Sequence, residues 1–546
     1  MAMSLRSTRT RFVITEGMTT QLAPAVPTTP PARVPRQIPF IIANEGCERF
    51  SFYGMRNVLT SYLATVLLLH LPASDRNIAA TEVFHTFVIG VYFFPLLGGW
   101  LSDRYFGKYR TILWFSVIYC VGQACLSEFA GDRRGFYIGL ALVALGSGGI
   151  KPLVSSFMGD QFDAQTKSRA KATFDAFYWI INLGSLSATL TMPWLIDVVD
   201  PRVAFGLPGA LMLISTVVFY SGRRRYVMVP PAPPNPDSFL RVVRTALLAT
   251  APGRGRPGLA VAALGAVLAA GALVVAVAAA VGATEALDTV PAACLALVLV
   301  LGFGGAGTAI QLERARGAHP DEAVDGVRAV LRVLVLFALI TPFWSLYDQK
   351  ASTWVLQANA MAKPSWFRSS QMQALNPLLI LVLIPFNRLV LFPWLRRLGW
   401  QPTAMRRMTA GIALTGASWV IVAVMQLVLD GGTTYSIAWQ VAPYIVLTMG
   451  EVLVYGTGLE FAYSQAPPAM KGAVMSFFNL TTTVGSLWVL LANASIKRPP
   501  VTAWIATTGL STTAFYMVFF ACFAFAAAVV FGLVGRRYRE VDHYRT

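Results

Sequence analysis

The sequence predicts an all-α polytopic membrane protein of the major facilitator kind: two six-helix bundles plus an inserted two-helix hairpin, about 14 transmembrane helices in all. Three observations predict it. The chain of 546 residues is 55% hydrophobic and only 13% charged, with a mean hydropathy of +0.58, which is too apolar for a soluble globule of that length. Runs such as 112–122, 136–150, 261–282 and 516–534 are apolar on every side rather than striped, as helices in lipid or packed among other helices should be. Alternating strands of roughly ten residues do not recur, which argues against an outer-membrane barrel.

Residues 1–38 carry Arg6, Arg9 and Arg11 among Pro and Thr, with no apolar core of signal-peptide length, and read as a disordered cytoplasmic tail. Apolar runs of about 20 residues bounded by charge, Pro or Gly then give a six-helix bundle over 39–222. Residues 223–331 form a cytoplasmic linker, rich in Pro and Arg at 230–236 and 241–256, followed by Ala- and Val-rich spans at 259–282 and 291–311. Those two spans carry almost no polar residue at membrane depth, so they read as an inserted hairpin with nothing to do chemistry with. A second six-helix bundle covers 332–536, and 537–546 is a cytoplasmic tail. Two six-helix halves joined by a long link is the build of transporters that rock around a central site.

The formal charge of +18 sits in the short links between spans. The basic residues of 104–110, 167–171, 223–225, 314–316, 396–397, 406–407 and 536–539 share one side if every span crosses, against Arg133, Arg134, Lys497 and Arg498 on the other. By the positive-inside rule the first side is the cytoplasm, and both termini lie there, in a multi-pass protein of the inner membrane; this is topology, and implies no nucleic-acid partner. Cys47, Cys120, Cys125, Cys294 and Cys522 form no CxxC pair or metal spacing and read as packing. HExxH, GxSxG and P-loop patterns are absent from the sequence, which argues against a membrane enzyme.

An ionisable side chain inside a span costs about 2.5–3.5 kcal/mol even on a lenient scale, so each needs a partner or a task. Glu45, Glu48, Arg49, Tyr53 and Arg56 fall within an arc of roughly 140° of the first helix. Two carboxylates beside two guanidiniums can hold one another ionised or exchange a partner for a proton; the plainer alternative is an ion-pair network that only fixes packing. Lys151, Asp348 and Glu451 each stand alone in apolar surroundings, and Lys350, two residues from Asp348, does not face it. Their partners must come from other helices or from a ligand, and a zwitterion would suit a cavity with Glu451 on one wall and Arg56 with Lys151 on another. Such isolated charges fit a binding site better than a passive channel. Gly98 to Lys108 reads as a brace or gate between helices, His85 as a hydrogen-bonded structural histidine with proton carriage as the alternative, and Glu460 as solvated. Trp344, Trp354, Tyr92, Tyr178 and Trp488 are equally suited to lining a pocket and to packing.

These residues together resemble the proton-dependent oligopeptide transporter (POT) family of the major facilitator superfamily. The first-helix motif is Glu45-Gly46-Cys47-Glu48-Arg49-Phe50-Ser51-Phe52-Tyr53-Gly54. Gly99 to Lys108, Gly148-Gly149-Ile150-Lys151-Pro152, Gly159-Asp160-Gln161-Phe162 and Phe177-Tyr178-Trp179-Ile180-Ile181-Asn182-Leu183-Gly184 continue it. In the second half Phe343 to Gln349, Leu375-Asn376-Pro377, Glu451 and Ala466-Pro467-Pro468 follow in order. The resemblance implies a proton-coupled symporter importing di- and tripeptides by alternating access, monomeric, driven by the proton gradient and without a cofactor. It implies that Glu45, Glu48, Arg49 and Asp348 couple protons, and that Arg56 and Asp348 form a gate salt bridge. Arg56 and Lys151 would then attract the peptide carboxylate and Glu451 its amino terminus, with Tyr53, Tyr92, Asn182 and Asn376 contacting the backbone. Two departures bear on pocket shape: Phe477-Phe478 stands where most bacterial members have Trp, and Lys350 where an uncharged residue is usual. A same-fold carrier for an amino acid, nitrate or a drug, or a transport-inactive sensor, is the alternative.

Overall fold

Inside a bilayer no water satisfies backbone N–H and C=O groups, so each apolar span must fold as a helix. The computed structural model describes residues 34–163, 166–231, 235–250, 255–284, 287–465 and 470–538. Among these residues the only β-type pairings are isolated bridges, Arg316 with His319 and Ala362 with Ser436. The Ala466-Pro467-Pro468 motif, residues 1–33 and 539–546 of the two tails, and the side chains of Lys167 and Lys171 lie outside the described residues.

The first bundle comprises α1 (Ile38–Tyr62), α2 (Ala73–Leu101), α3 (Gly107–Glu128), α4 (Arg133–Gly159), α5 (Lys167–Val198) and α6 (Pro201–Ser221). Helix starts are set by loop residues whose side chains take an orphan backbone N–H: Asp132 accepts from Gly135 and Asp200 from Arg202. The α2–α3 turn is made at Gly107, whose φ of +74° favours glycine. Gly98 of α2 and Gly148 of α4 let two backbones meet, since a Cβ on Gly98 would lie 2.3 Å from the Gly148 carbonyl oxygen. Helix α1 packs on α5 and α6, α3 on α4 and α6, and α2 on α4.

A short amphipathic helix, α7 (Phe239–Leu248), leads to the hairpin α8 (Pro257–Ala280) and α9 (Thr289–Gln311). Helix α7 buries Val242 and Ala246 in the core of the second half. The hairpin helices pack mainly on each other, with Gly258 and Gly307 at their contact, and leave Val267, Val274 and Val277 exposed as a lipid-facing surface.

The second bundle comprises α10 (Asp321–Tyr347), α11 (Thr353–Asn359), α12 (Leu375–Phe386), α13 (Phe392–Arg397), α14 (Ala404–Asp430), α15 (Val441–Glu451), α16 (Thr457–Gln465), α17 (Lys471–Ile496), α18 (Pro499–Thr507) and α19 (Thr512–Arg537). π-helical turns at Asn387–Leu391 and Val452–Gly456 join α12 to α13 and α15 to α16, so each pair makes one crossing. Twelve segments of the described residues are long and apolar enough to cross a membrane. One of them, Asp75–Glu128 with 54 residues, holds both α2 and α3, and α1 is not among the twelve because it carries Glu45, Glu48, Arg49 and Arg56. Dividing the first and adding the second gives fourteen crossings, the fold class the sequence predicts.

The bundles meet through α2 against α17 and α5 against α12 and the turn before it. At the end far from the start of α1 they are tied by polar contacts. Glu82 pairs with Lys497 at 2.7 Å and Asp197 with Arg368 at 2.5 Å. Gln371 donates to the Leu190 carbonyl and Gln373 to that of Asn57. His85 lies between Ser486 at 3.3 Å and Ser352 at 3.2 Å, so its ring is hydrogen-bonded across the interface. Towards the near end, Tyr178 and Tyr455 are 44% and 43% exposed although both lie within electrostatic reach of Glu451 and Tyr53. The cleft between the bundles is therefore closed at the far end, where these polar contacts lie.

Candidate functional site

Helices that cross a membrane can hold charge only where it faces a partner or a cavity, and the cleft ends in such a cavity. Its volume is about 80 Å³, and it is lined by Phe52, Tyr53, Arg56, Asn57, Tyr92, Ile181, Asn182, Ser185, Tyr347, Asp348, Lys350, Gln373, Asn376, Pro377, Ile380 and Glu451. Both bundles contribute, and the charged side chains on its wall are Arg56, Asp348, Lys350 and Glu451, two of each sign.

At the floor of the cavity Arg56 Nη2 donates to Asp348 Oδ1 at 2.6 Å, joining α1 to the end of α10. Both side chains are buried, and Asp348 Oδ2 makes no hydrogen bond among the described residues. One charge-assisted bond thus carries most of the compensation for two buried charges.

Elsewhere on the wall Glu451 is held by neutral donors. Tyr347 Oη donates to its Oε1 at 2.6 Å and Asn376 Nδ2 to its Oε2 at 2.5 Å. Asn376 also receives a hydrogen bond from Lys350 Nζ at 2.8 Å through its Oδ1, and the Lys350 ammonium stands 3.4 Å from the centre of the Tyr347 ring. A lysine, an amide and a carboxylate are thus linked in series along one wall.

The Glu45, Glu48 and Arg49 cluster lies on α1 away from the cavity lining. Arg49 Nε donates to Glu45 Oε1 at 2.6 Å and is 3.2 Å from Glu48 Oε2. Neither Glu48 oxygen makes a hydrogen bond of acceptable geometry among the described residues. Glu48 is therefore the less well hydrogen-bonded of the two carboxylates. The arc of charge on α1 is divided: Arg49 serves the glutamates, whereas Arg56 serves Asp348 across the interface.

Lys151 departs from its expected place. It is not on the cavity wall; its ammonium sits 3.1 Å from the centre of the Phe52 ring and 5.5 Å from that of Tyr92. Both rings line the cavity, so Lys151 sits behind the lining against two aromatic faces, within electrostatic reach of the Glu48 and Glu45 carboxylates. Tyr53, Tyr92, Asn182, Asn376 and Glu451 do lie on the wall, and Asn182 gives one of its two amide donors to the Tyr178 carbonyl at 2.9 Å. Of the other aromatic candidates, Trp344 and Trp354 are buried in the second bundle, and Trp488 bonds Thr341 from a partly exposed position. The Gly98 to Lys108 link is braced, with Lys108 Nζ 2.6 Å from Asp160 at the end of α4. Glu460 is exposed, as expected.

The sequence did not single out Asn57, Ser185, Tyr347 and Gln373 as lining residues. Small polar side chains within an apolar helix carry too weak a signal to be told from packing. Lys350 had a signal, a charge in a span, and its place on the wall follows from the 3₁₀ turn Asp348–Ala351 that ends α10.

A model of the POT family, PTR2, matches residues 109–505. The chain belongs to the POT family. Peptide transporter family 2 of Caenorhabditis elegans is 33% identical over 422 residues, 73% of this chain and 48% of that protein. Solute carrier family 15 member 1 of Canis lupus familiaris is 30% identical over 429 residues, 72% of this chain and 52% of that protein. The chain spans about half the length of the curated relatives it matches. Among solved structures, an auto-inhibited POT family peptide transporter is 62% identical, with a TM-score of 0.90 over 94% of this chain and 99% of the other. The POT family transporter PepTSo is 60% identical, with a TM-score of 0.90 over 93% and 99%. POT family members are transporters rather than enzymes.

Proposed function

We propose that this POT family member is a proton-coupled symporter that imports di- and tripeptides across the cytoplasmic membrane by alternating access. The observation that carries the reading is the Arg56–Asp348 bridge, which closes the far end between the bundles and stands on the wall of a cavity with charges of both signs. A small zwitterion is the solute whose own charges compensate such walls. Homologues named as peptide transporters support the same substrate class.

The near end is the cytoplasmic one. Arg104, Arg110, Arg223 to Arg225, Arg396, Arg397, Arg406 and Arg407 lie there, which supports cytoplasmic termini in an inner-membrane protein. In transport, a proton on Asp348 removes the charge that Arg56 holds, and the far end can part. Protons on Glu45 or Glu48 release Arg49 in the same way. Substrate enters from outside, the bundles rock, and the site reopens to the cytoplasm where the protons leave. The proton gradient is the energy source; no cofactor takes part, and the carrier works as a monomer.

The test is uptake of labelled dialanine into proteoliposomes with and without an inward acid gradient, with unlabelled alanine and nitrate as competitors. Gradient-driven uptake blocked by excess dipeptide and by neither competitor supports the reading. Competition by alanine or nitrate at equal concentration transfers it to a carrier for that solute.

A further inference from the structure

Helix α1 carries a second polar stripe, turned away from the cavity. Asn44, Glu48 and Ser51, at spacings of four and three, share one face, and all three are buried. The outer two are bonded to α6: Ser215 donates to Asn44, and Ser51 donates to the Pro208 carbonyl at 2.6 Å. Glu48, between them, therefore faces the interior of the first bundle at the depth of residues 209–212 of α6. Helix α3 meets α6 at the same depth, since a Cβ on Gly209 would lie 3.1 Å from that of Gln123, and Cys120 is 3.7 Å from Thr216. One turn before Gln123, and beside it, Tyr119 stands within electrostatic reach of Glu48.

Tyr119 and Gln123 are both fully buried. The Tyr119 hydroxyl, both polar atoms of the Gln123 amide and both oxygens of Glu48 nevertheless make no hydrogen bond of acceptable geometry to the described residues. Buried polar groups find a partner in the protein or in ordered water, and a buried water needs roughly two to four polar partners, which these three side chains supply. We propose that Tyr119 and Gln123 are positioning residues for Glu48: through a buried water that both hold, they hydrogen-bond its ionised carboxylate and set the pH at which it takes its proton. The Tyr119 hydroxyl donates to the water, which donates one proton to Glu48 and the other to the Gln123 amide oxygen. Support of this kind favours the charged form, so its loss favours the proton. The other groups that act on Glu48 are Glu45 and Arg49 of α1, Lys151 of α4 and, further along α1, Tyr53, with Tyr92 of α2 beyond the Lys151 ammonium. Residues 179–196 of α5 and 203–219 of α6 include no titratable side chain. The proposal rests on the proton-coupling reading above and brings α3, which contributes nothing to the cavity wall, into the coupling path.

The test follows Glu48 itself, by infrared titration of the purified full-length carrier, with the band of its protonated carboxyl identified by loss in Glu48→Gln. Losing a hydrogen bond to the charged form should move the midpoint of that band up by about one pH unit. The proposal expects this shift in Tyr119→Phe and a shift of the same sign in Gln123→Met, which carries the test if Tyr119→Phe does not fold. Tyr109→Phe is the control. It removes another buried α3 hydroxyl without a hydrogen bond among the described residues, packed against Phe157, Phe219 and Tyr226, and should leave the midpoint in place. A midpoint in Tyr119→Phe equal to that of wild type overturns the assignment, as does an equal shift in Tyr109→Phe. A wild-type carboxyl band that Glu48→Gln leaves intact at every pH removes the proton-coupling role of Glu48, and the inference with it, a result distinct from an unmoved midpoint.

Discussion

Replacing Asp348 by Asn removes the charge from the one strong polar bond at the cavity floor and leaves the shape of the side chain. In the native protein Arg56 Nη2 and Asp348 Oδ1 are 2.6 Å apart, with the two side chains 7% and 2% exposed. Breaking a buried pair from one side costs about 3–5 kcal/mol when nothing moves, because the remaining charge is uncompensated. Here the far end can move. Parting the bundles lets water reach Arg56, so the penalty falls on the closed state and not on the open one. Even if half of it is relieved locally, about 1.5 kcal/mol remains, a shift of about tenfold toward far-end opening. The assay is a distance distribution between spin labels at Val199 and Trp366, which are 52% and 75% exposed and lie at the far end beside the Asp197–Arg368 pair. Asp348→Asn is expected to populate a longer distance and to uncouple uptake from the gradient. An unchanged distribution would refute the claim that this bond holds the gate.

Glu451→Gln removes the charge and one of the two acceptor oxygens, so that only one of the bonds from Tyr347 and Asn376 is kept. Affinity for dialanine should fall roughly ten- to hundred-fold while that for N-acetyl-dialanine stays the same, measured by competition binding. Gly98→Ala places a methyl 2.3 Å from the Gly148 oxygen, whereas Gly99→Ala meets nothing within 4 Å. The first should destabilise by about 1–3 kcal/mol and the second by little, as read from melting temperatures of the purified protein. Lys108→Ala breaks a bridge whose members are about a fifth exposed; its cost should stay near or below about 1 kcal/mol, with uptake retained in the proteoliposome assay.

Much of this architecture was readable in the sequence because lipid allows few choices. A run that is apolar on all sides has to be a helix, and a charge inside it has to be satisfied, so Asp348 and Glu451 stood out before any contact was known. Which partner satisfies each charge was not readable from position on one helix. Arg56 shares an arc with Glu45 and Glu48, yet its partner is on α10, because pairing depends on how the two bundles dock. The resemblance to the family supplied that pairing where spacing could not. Lys151 shows the converse: it stood alone in its own helix, and its neighbours, two rings and the Glu48 and Glu45 carboxylates, come from α1 and α2 of the same bundle. Tyr347 and Asn376, whose side chains position Glu451, gave no charge signal, and their importance comes from two hydrogen bonds that only the packed second bundle creates.

The central claim is that the α1 carboxylates couple the proton gradient to substrate movement, and Glu48, buried and without a well-formed hydrogen bond, tests it most directly. The measurement is labelled dialanine flux in proteoliposomes carrying wild type or Glu48→Gln, once with an inward acid gradient and once as counterflow against preloaded unlabelled dialanine. The account predicts that the variant loses gradient-driven accumulation but retains counterflow, because a permanently neutral side chain can still bind and exchange substrate. Accumulation equal to wild type in the variant would contradict it and place the coupling proton elsewhere.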